Sequence, residues 1–100
     1  MNTDDVVVTG LGIVSALGPS VDSFRDGIFA GRCGIGPLSL FECKDARSQL
    51  VAEAPTPRFD GLSLPAVCSR PDRFGLRAAL DAVSDAQLSA AELAQAAVLF

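Results

Sequence analysis

Two hydrophobic periods share the 100-residue chain. Residues 6–9, Val-Val-Val-Thr, are β-branched throughout and nearly all apolar, the pattern of a strand buried on both faces, and they point to a parallel sheet. Gly10 and Gly12 follow directly. Residues without a Cβ permit close backbone approach, so another element is expected to pack tightly against this turn. Beyond Gly18 the period changes: Val21, Phe24 and Ile28 fall at helical spacing, with Ser20 placed as N-cap, Asp22 in the first turn and Gly31 at the stop. The spacing predicts an amphipathic helix over residues 20–30, covering the first strand.

Gly31, Gly34, Gly36 and Pro37 put too many breakers into residues 31–41 for regular structure, which reads as an ordered loop. Residues 49–54 are a strand candidate closed by Pro55 and Pro57, and residues 55–65 show neither period. A second helix is predicted over residues 72–86. Leu76, Ala79, Leu80 and Val83 form its apolar stripe, Arg73, Arg77 and Asp81 step by four along the opposite side, and Pro71 stands near the first turn. Ser89 with Glu92 has capping-box spacing for one short further turn. Residues 96–100, Ala-Ala-Val-Leu-Phe, read as an interior strand, and with nothing after it to cover its other face the chain reads as the front of a larger domain.

Composition narrows the function classes. A chain that is 49% hydrophobic and 20% charged is globular rather than disordered, and at a net charge of −4 without histidine its bulk electrostatics invite neither nucleic acid nor an anionic membrane. Cys33, Cys43 and Cys68 are odd in number, lack close pairing and have no histidine to complete a common zinc set, so free thiols in a reducing cytoplasm are expected, with no metal. The N-terminus lacks the basic region of a secretory signal and no apolar run reaches a membrane-spanning length, so a cytoplasmic, soluble protein is expected.

Three features invite chemistry. The strand followed by Gly10-x-Gly12 suggests a dinucleotide site, but Ser15 occupies the third glycine position, the helix signal waits until Ser20, and no acidic residue closes a second strand about 20 residues on. Cys68 stands just before a helix, where the dipole favours a thiolate, yet no histidine exists to activate it. It reads as an ordinary loop cysteine. Arg70, Arg73 and Arg77 make the local cluster of positive charge, either a solvated helix face, with Arg77 pairing Asp81 for about 0.3 kcal/mol, or a dock for an acidic partner or a phosphate.

Three blocks in order resemble the N-terminus of β-ketoacyl-acyl-carrier-protein synthases: residues 8–18 (Val-Thr-Gly-Leu-Gly-Ile-Val-Ser-Ala-Leu-Gly), residues 24–40 with Gly-Arg-Cys-Gly-Ile-Gly-Pro-Leu, and Arg70-Pro71-Asp72-Arg73-Phe74 leading into an alanine-rich helix. Ala16 stands where that family commonly has proline, and Cys33 where it commonly has serine. The resemblance implies an α/β fold, the N-terminal part of a thiolase-like layered α/β/α/β/α arrangement, usually in a homodimer. It implies decarboxylative Claisen condensation in fatty-acid or polyketide synthesis, with an acyl group held on a cysteine thiolate and two assisting histidines, without a cofactor. That cysteine and those histidines belong to later parts of the family's sequence, and Cys68 does not inherit the role. No residue of this segment is therefore expected to be catalytic. The family's acidic acyl carrier proteins make Arg70 and Arg73 the expected docking residues by charge complementarity. A chain-length-factor-like partner subunit, a stand-alone small binding module and a dinucleotide-binding fragment are the alternatives.

Overall fold

The computed structural model describes residues 4–99. Helix α1, Val21–Phe29, starts where the cap signal lies: Ser20 and Ser23 exchange side-chain and backbone hydrogen bonds in a capping box, each at 3.1 Å. It ends at Ala30, and Gly31 takes the left-handed conformation at φ +69° that favours glycine. Just before the helix, Ser15 and Gly18 exchange two 3.0 Å backbone hydrogen bonds in a tight turn that needs φ +140° at Gly18. The turn brings Leu17 against Gly27, which is buried on the inner face of α1.

Strands β1, Ile35–Pro37, and β2, Leu50–Ala52, form a two-stranded antiparallel sheet, Ile35 opposite Ala52 and Pro37 opposite Leu50. The second strand lies inside the predicted 49–54. The first corrects the loop expected over residues 31–41. In a two-stranded sheet both strands are edges, and an edge tolerates the missing N–H of Pro37 and the bare backbone of Gly36 that would break an interior strand. Residues 55–65 carry neither helix nor strand, as their sequence predicts.

Helix α2, Arg70–Ala86, begins two residues earlier than predicted because Ser69 caps it, with Asp72 returning the bond to the Ser69 N–H at 2.9 Å. It ends at Gln87 in the left-handed conformation, with the short helix α3, Ala90–Leu93, following behind its own Ser89–Glu92 capping box. No helix among the described residues is long and apolar enough to cross a membrane.

The Gly10–Gly12 turn sits against α2, as its bare backbone predicts. A methyl group built on Gly10 would stand 2.3 Å from the Ala82 carbonyl oxygen, and one on Gly12 would stand 1.8 Å from that of Ala78. The Leu11 N–H donates to the Asp85 carboxylate at 3.0 Å and fixes the register. Gly10 lies by Ala82 and Ala86 and Gly12 by Ala78, so the segment runs against the direction of α2. After α3 the chain returns along the same helix, where Val98 and Leu99 share a groove with Pro71, Gly75, Leu76 and Ala79.

Neither returning segment is a strand. Among the described residues, 6–9 and 96–99 have no ladder partner. Val6 is 99% and Leu99 93% exposed, which corrects the predicted burial of both. Phe100 lies outside the described residues. A strand exists only when a neighbour accepts its hydrogen bonds, and burial on both faces needs layers on both sides; α2 covers one side alone. For the same reason no aliphatic or aromatic core side chain is buried among the described residues, Pro57 aside. The accessible surface is 8037 Å², against about 5,400 Å² for a folded monomer of this mass. The radius of gyration is 16.9 Å, where a compact domain of this length has about 13 Å.

Candidate functional site

The basic cluster gathers at the start of α2, where the sequence places it. Pro71 in the first turn leaves no N–H to satisfy and the Ser69–Asp72 box closes the rest. That rigid start fixes where Arg70, Arg73 and Arg77 project. Arg70 is half-buried, donates to the Ala54 carbonyl and the Thr56 hydroxyl, and lies over the Phe74 ring at 4.8 Å. Arg77 holds Asp81 through Nε at 3.1 Å and Nη2 at 2.7 Å, reaches the Arg58 carbonyl at 3.4 Å, and faces the Phe59 ring at 5.4 Å. Arg73 lies between them, half-buried, and among the described residues its guanidinium makes no ion pair or hydrogen bond.

The polar side of α2 is therefore no solvated face. Arg77 and Asp81 are half-buried, as are Leu76 and Val83 of the predicted apolar stripe, while Ala79 and Leu80 of that stripe stay exposed. What turns this side inward is the proline-rich stretch of residues 54–59, whose partners on α2 lie 14 to 19 residues away in sequence. No local period announces a contact of that kind.

A second polar cluster escaped the sequence reading altogether. The Glu53 carboxylate, just past β2, accepts from the Ser39 N–H at 2.7 Å, the Ser39 hydroxyl at 2.6 Å and the Leu40 N–H at 3.1 Å, tying off the base of the hairpin. Those bonds, the Ser39 hydroxyl first, hold Glu53 below the ordinary carboxylate value of 4.5. The capping partners lower Asp72 and Glu92 in the same way, chiefly through the Ser69 and Ser89 backbone N–H groups.

A carboxylate whose folded-state pKa is depressed contributes stability above its unfolded value and loses it as pH falls through the folded value. Stability is thus expected to be flat above about pH 5 and to fall once pH drops below the ordinary values of 4.5 for Glu53 and Glu92 and 3.8 for Asp72. A thermal-midpoint series from pH 7 to 3 checks this. Glu53→Gln combined with Asp72→Asn should flatten the acid limb; an unchanged limb in that variant would contradict the assignment.

The remaining candidates carry no assembled chemistry. Cys68 is half-buried in the turn before α2, its N–H bonded to the Pro65 carbonyl, and Cys33 and Cys43 are exposed singly. No group of three metal-ligating side chains comes together among the described residues. The Gly10–Gly12 backbone offers no cradle for a pyrophosphate, because the space beside both glycines is filled by α2. What the site offers is a guanidinium at Arg73, on a rigid helix start, open to an anion.

A family model described as Beta-ketoacyl synthase, N-terminal domain, matches residues 3–100. Among individual proteins the chain is 33% identical over 93 residues to the 3-oxoacyl-[acyl-carrier-protein] synthase 2 of Synechocystis sp., covering 88% of this chain and 22% of that protein. It is 40% identical over 86 residues to a putative polyketide beta-ketoacyl synthase 1 of Streptomyces halstedii, covering 83% and 20%. Over 48 residues it is 40% identical to the 3-oxoacyl-[acyl-carrier-protein] synthase 2 of Coxiella burnetii, covering 48% and 12%. The chain thus spans about a fifth or less of the length of these relatives. No solved structure matches it.

Proposed function

The chain belongs to the β-ketoacyl synthase N-terminal domain family, and on that premise we propose that it is the first part of a condensing enzyme of fatty-acid or polyketide synthesis. The observation that carries this reading is the family match running from residue 3 to residue 100. The reaction is decarboxylative Claisen condensation. The malonyl carbon–carboxylate bond breaks and CO₂ leaves. The electron pair left behind attacks the acyl thioester carbonyl, a carbon–carbon bond forms and the thiolate departs. The oxyanion formed on the way needs fixed donors in a dry site, and residues 1–100, without histidine, contribute architecture to that site rather than catalytic groups.

In this reading residues 6–12 and 96–99 are neighbouring parallel strands of a thiolase-like layered α/β/α/β/α fold, with α2 as one covering layer. Support comes from the shared direction of the two segments along α2 and from their uncovered apolar side chains. The complete enzyme is cytoplasmic and a homodimer. Its partner is an acidic acyl carrier protein approaching the start of α2, where the Arg73 guanidinium stands uncommitted.

The test is condensation by the complete protein given an acyl thioester and malonyl-carrier protein. Release of CO₂ with formation of a β-ketoacyl thioester is expected. Absence of both, with condensation appearing only when a second catalytic subunit is added, would replace the synthase by a chain-length-factor-like partner.

A further inference from the structure

We infer that the three arginines of α2 divide into two jobs: Arg70 and Arg77 are positioning residues that strap residues 54–59 onto the helix, and Arg73 alone presents charge to a partner. The inference rests on the carrier-docking reading for Arg73 and on geometry alone for the strap.

Residues 54–59 read Ala-Pro-Thr-Pro-Arg-Phe. Two prolines in six residues remove the donors that a strand ladder or a helix would use, and the segment adopts neither. It is nevertheless held closely, with Pro57 buried. Two guanidiniums reach it from α2, Arg70 with two donors and Arg77 with one 3.4 Å hydrogen bond and a ring face. Arg70 takes the Ala54 carbonyl with one nitrogen and the Thr56 hydroxyl with the other, while its face is set on the Phe74 ring. Arg77 takes the Arg58 carbonyl with Nη1, is aimed by the Asp81 carboxylate on Nε and Nη2, and faces Phe59 of the strap itself.

Each task needs several donors at fixed angles on a flat group that also stacks. Arginine supplies that and lysine does not. Recruiting Arg70 or Arg77 to an anion would strip the donors from a segment that has few others. Arg73 has no such commitment among the described residues and sits on the same rigid helix between the two. Three positive charges in sequence therefore amount to one available cation.

The test is a set of lysine and glutamate substitutions at the three positions in the complete protein. It reads carrier-protein KM, the salt dependence of KM, thermal midpoint and limited proteolysis within residues 54–59. Arg73→Glu should raise carrier KM about tenfold and reverse its salt dependence with the midpoint unmoved, and Arg73→Lys should restore both. Arg70→Lys and Arg77→Lys keep the charge but not the fork. Each should lower the midpoint by several degrees and open the strap to protease, with carrier KM within about twofold of wild type.

Arg70→Lys matching wild type in midpoint and proteolysis, while Arg70→Glu raises KM, would overturn the division. Unchanged KM in Arg73→Glu would overturn the docking half and the carrier reading with it, while loss of stability in Arg70→Lys and Arg77→Lys would still establish the strap.

Discussion

Valine in place of Gly12 is expected to destabilise the protein by about 3 kcal/mol or more and to leave most of it insoluble. The added Cβ would stand 1.8 Å from the Ala78 carbonyl oxygen and 2.7 Å from the Ala78 carbonyl carbon. Those are backbone atoms in the middle of α2, so no side chain can swing aside to make room. Either the segment lifts off the helix, losing the Leu11–Asp85 bond at 3.0 Å, or α2 bends. A whole domain is stable by only about 5–15 kcal/mol, so this loss is a large fraction. Gly75→Ala is the matched contrast, since nothing stands within 4 Å of a methyl group built there. Removing a glycine from a helix interior should stabilise by about 0.5–1 kcal/mol. Opposite signs in the thermal midpoints of the two variants are expected; a Gly12→Val midpoint equal to wild type would mean that the turn does not rest on α2.

The second large effect concerns residues 1–100 produced alone. Val6, Val8, Phe29, Val67 and Leu99 are each at least 80% exposed, and residues 6–9 and 96–99 present unpaired backbone beside them. Exposed apolar strand edges recruit other chains. Light scattering should show association that grows with concentration, and the segment should bind a hydrophobic dye while keeping the far-ultraviolet signature of α1 and α2. A monomer that binds no dye and unfolds in one sharp transition would favour a stand-alone binding module instead.

What the sequence revealed was what depends on neighbours along the chain. Both long helices, the Ser20 cap and the Ser89–Glu92 turn follow from spacing and capping chemistry, and the Gly10–Gly12 packing follows from the absence of a Cβ; the Ser69 cap that starts α2 two residues early was missed. The strand status of residues 6–9 did not follow, because a β-branched run sets only a preference and the ladder needs a partner. β1 was hidden by its own glycine and proline, which matter less at an edge than in the middle of a sheet. At the candidate site the sequence located the arginines and the Arg77–Asp81 pair but not the partners outside the helix: Ala54, Thr56 and Arg58 meet α2 across 14 to 19 residues, and Glu53 reaches back 13 and 14 residues to Leu40 and Ser39. Nothing periodic encodes such contacts. The arginine cluster thus changes meaning once the structure is seen, from a three-charge surface to a two-fork strap with one open cation.

The central claim, that these 100 residues are the front of a condensing enzyme, meets its most direct test in the intact mass of the protein isolated from its native source. With 93 aligned residues making up 22% of the Synechocystis relative, a chain of that kind runs to several hundred residues, and a mass of roughly 40 kDa or more is expected. A native mass of 10.3 kDa would contradict the claim, because such a protein would have no histidine and no covering layers to build the condensing site.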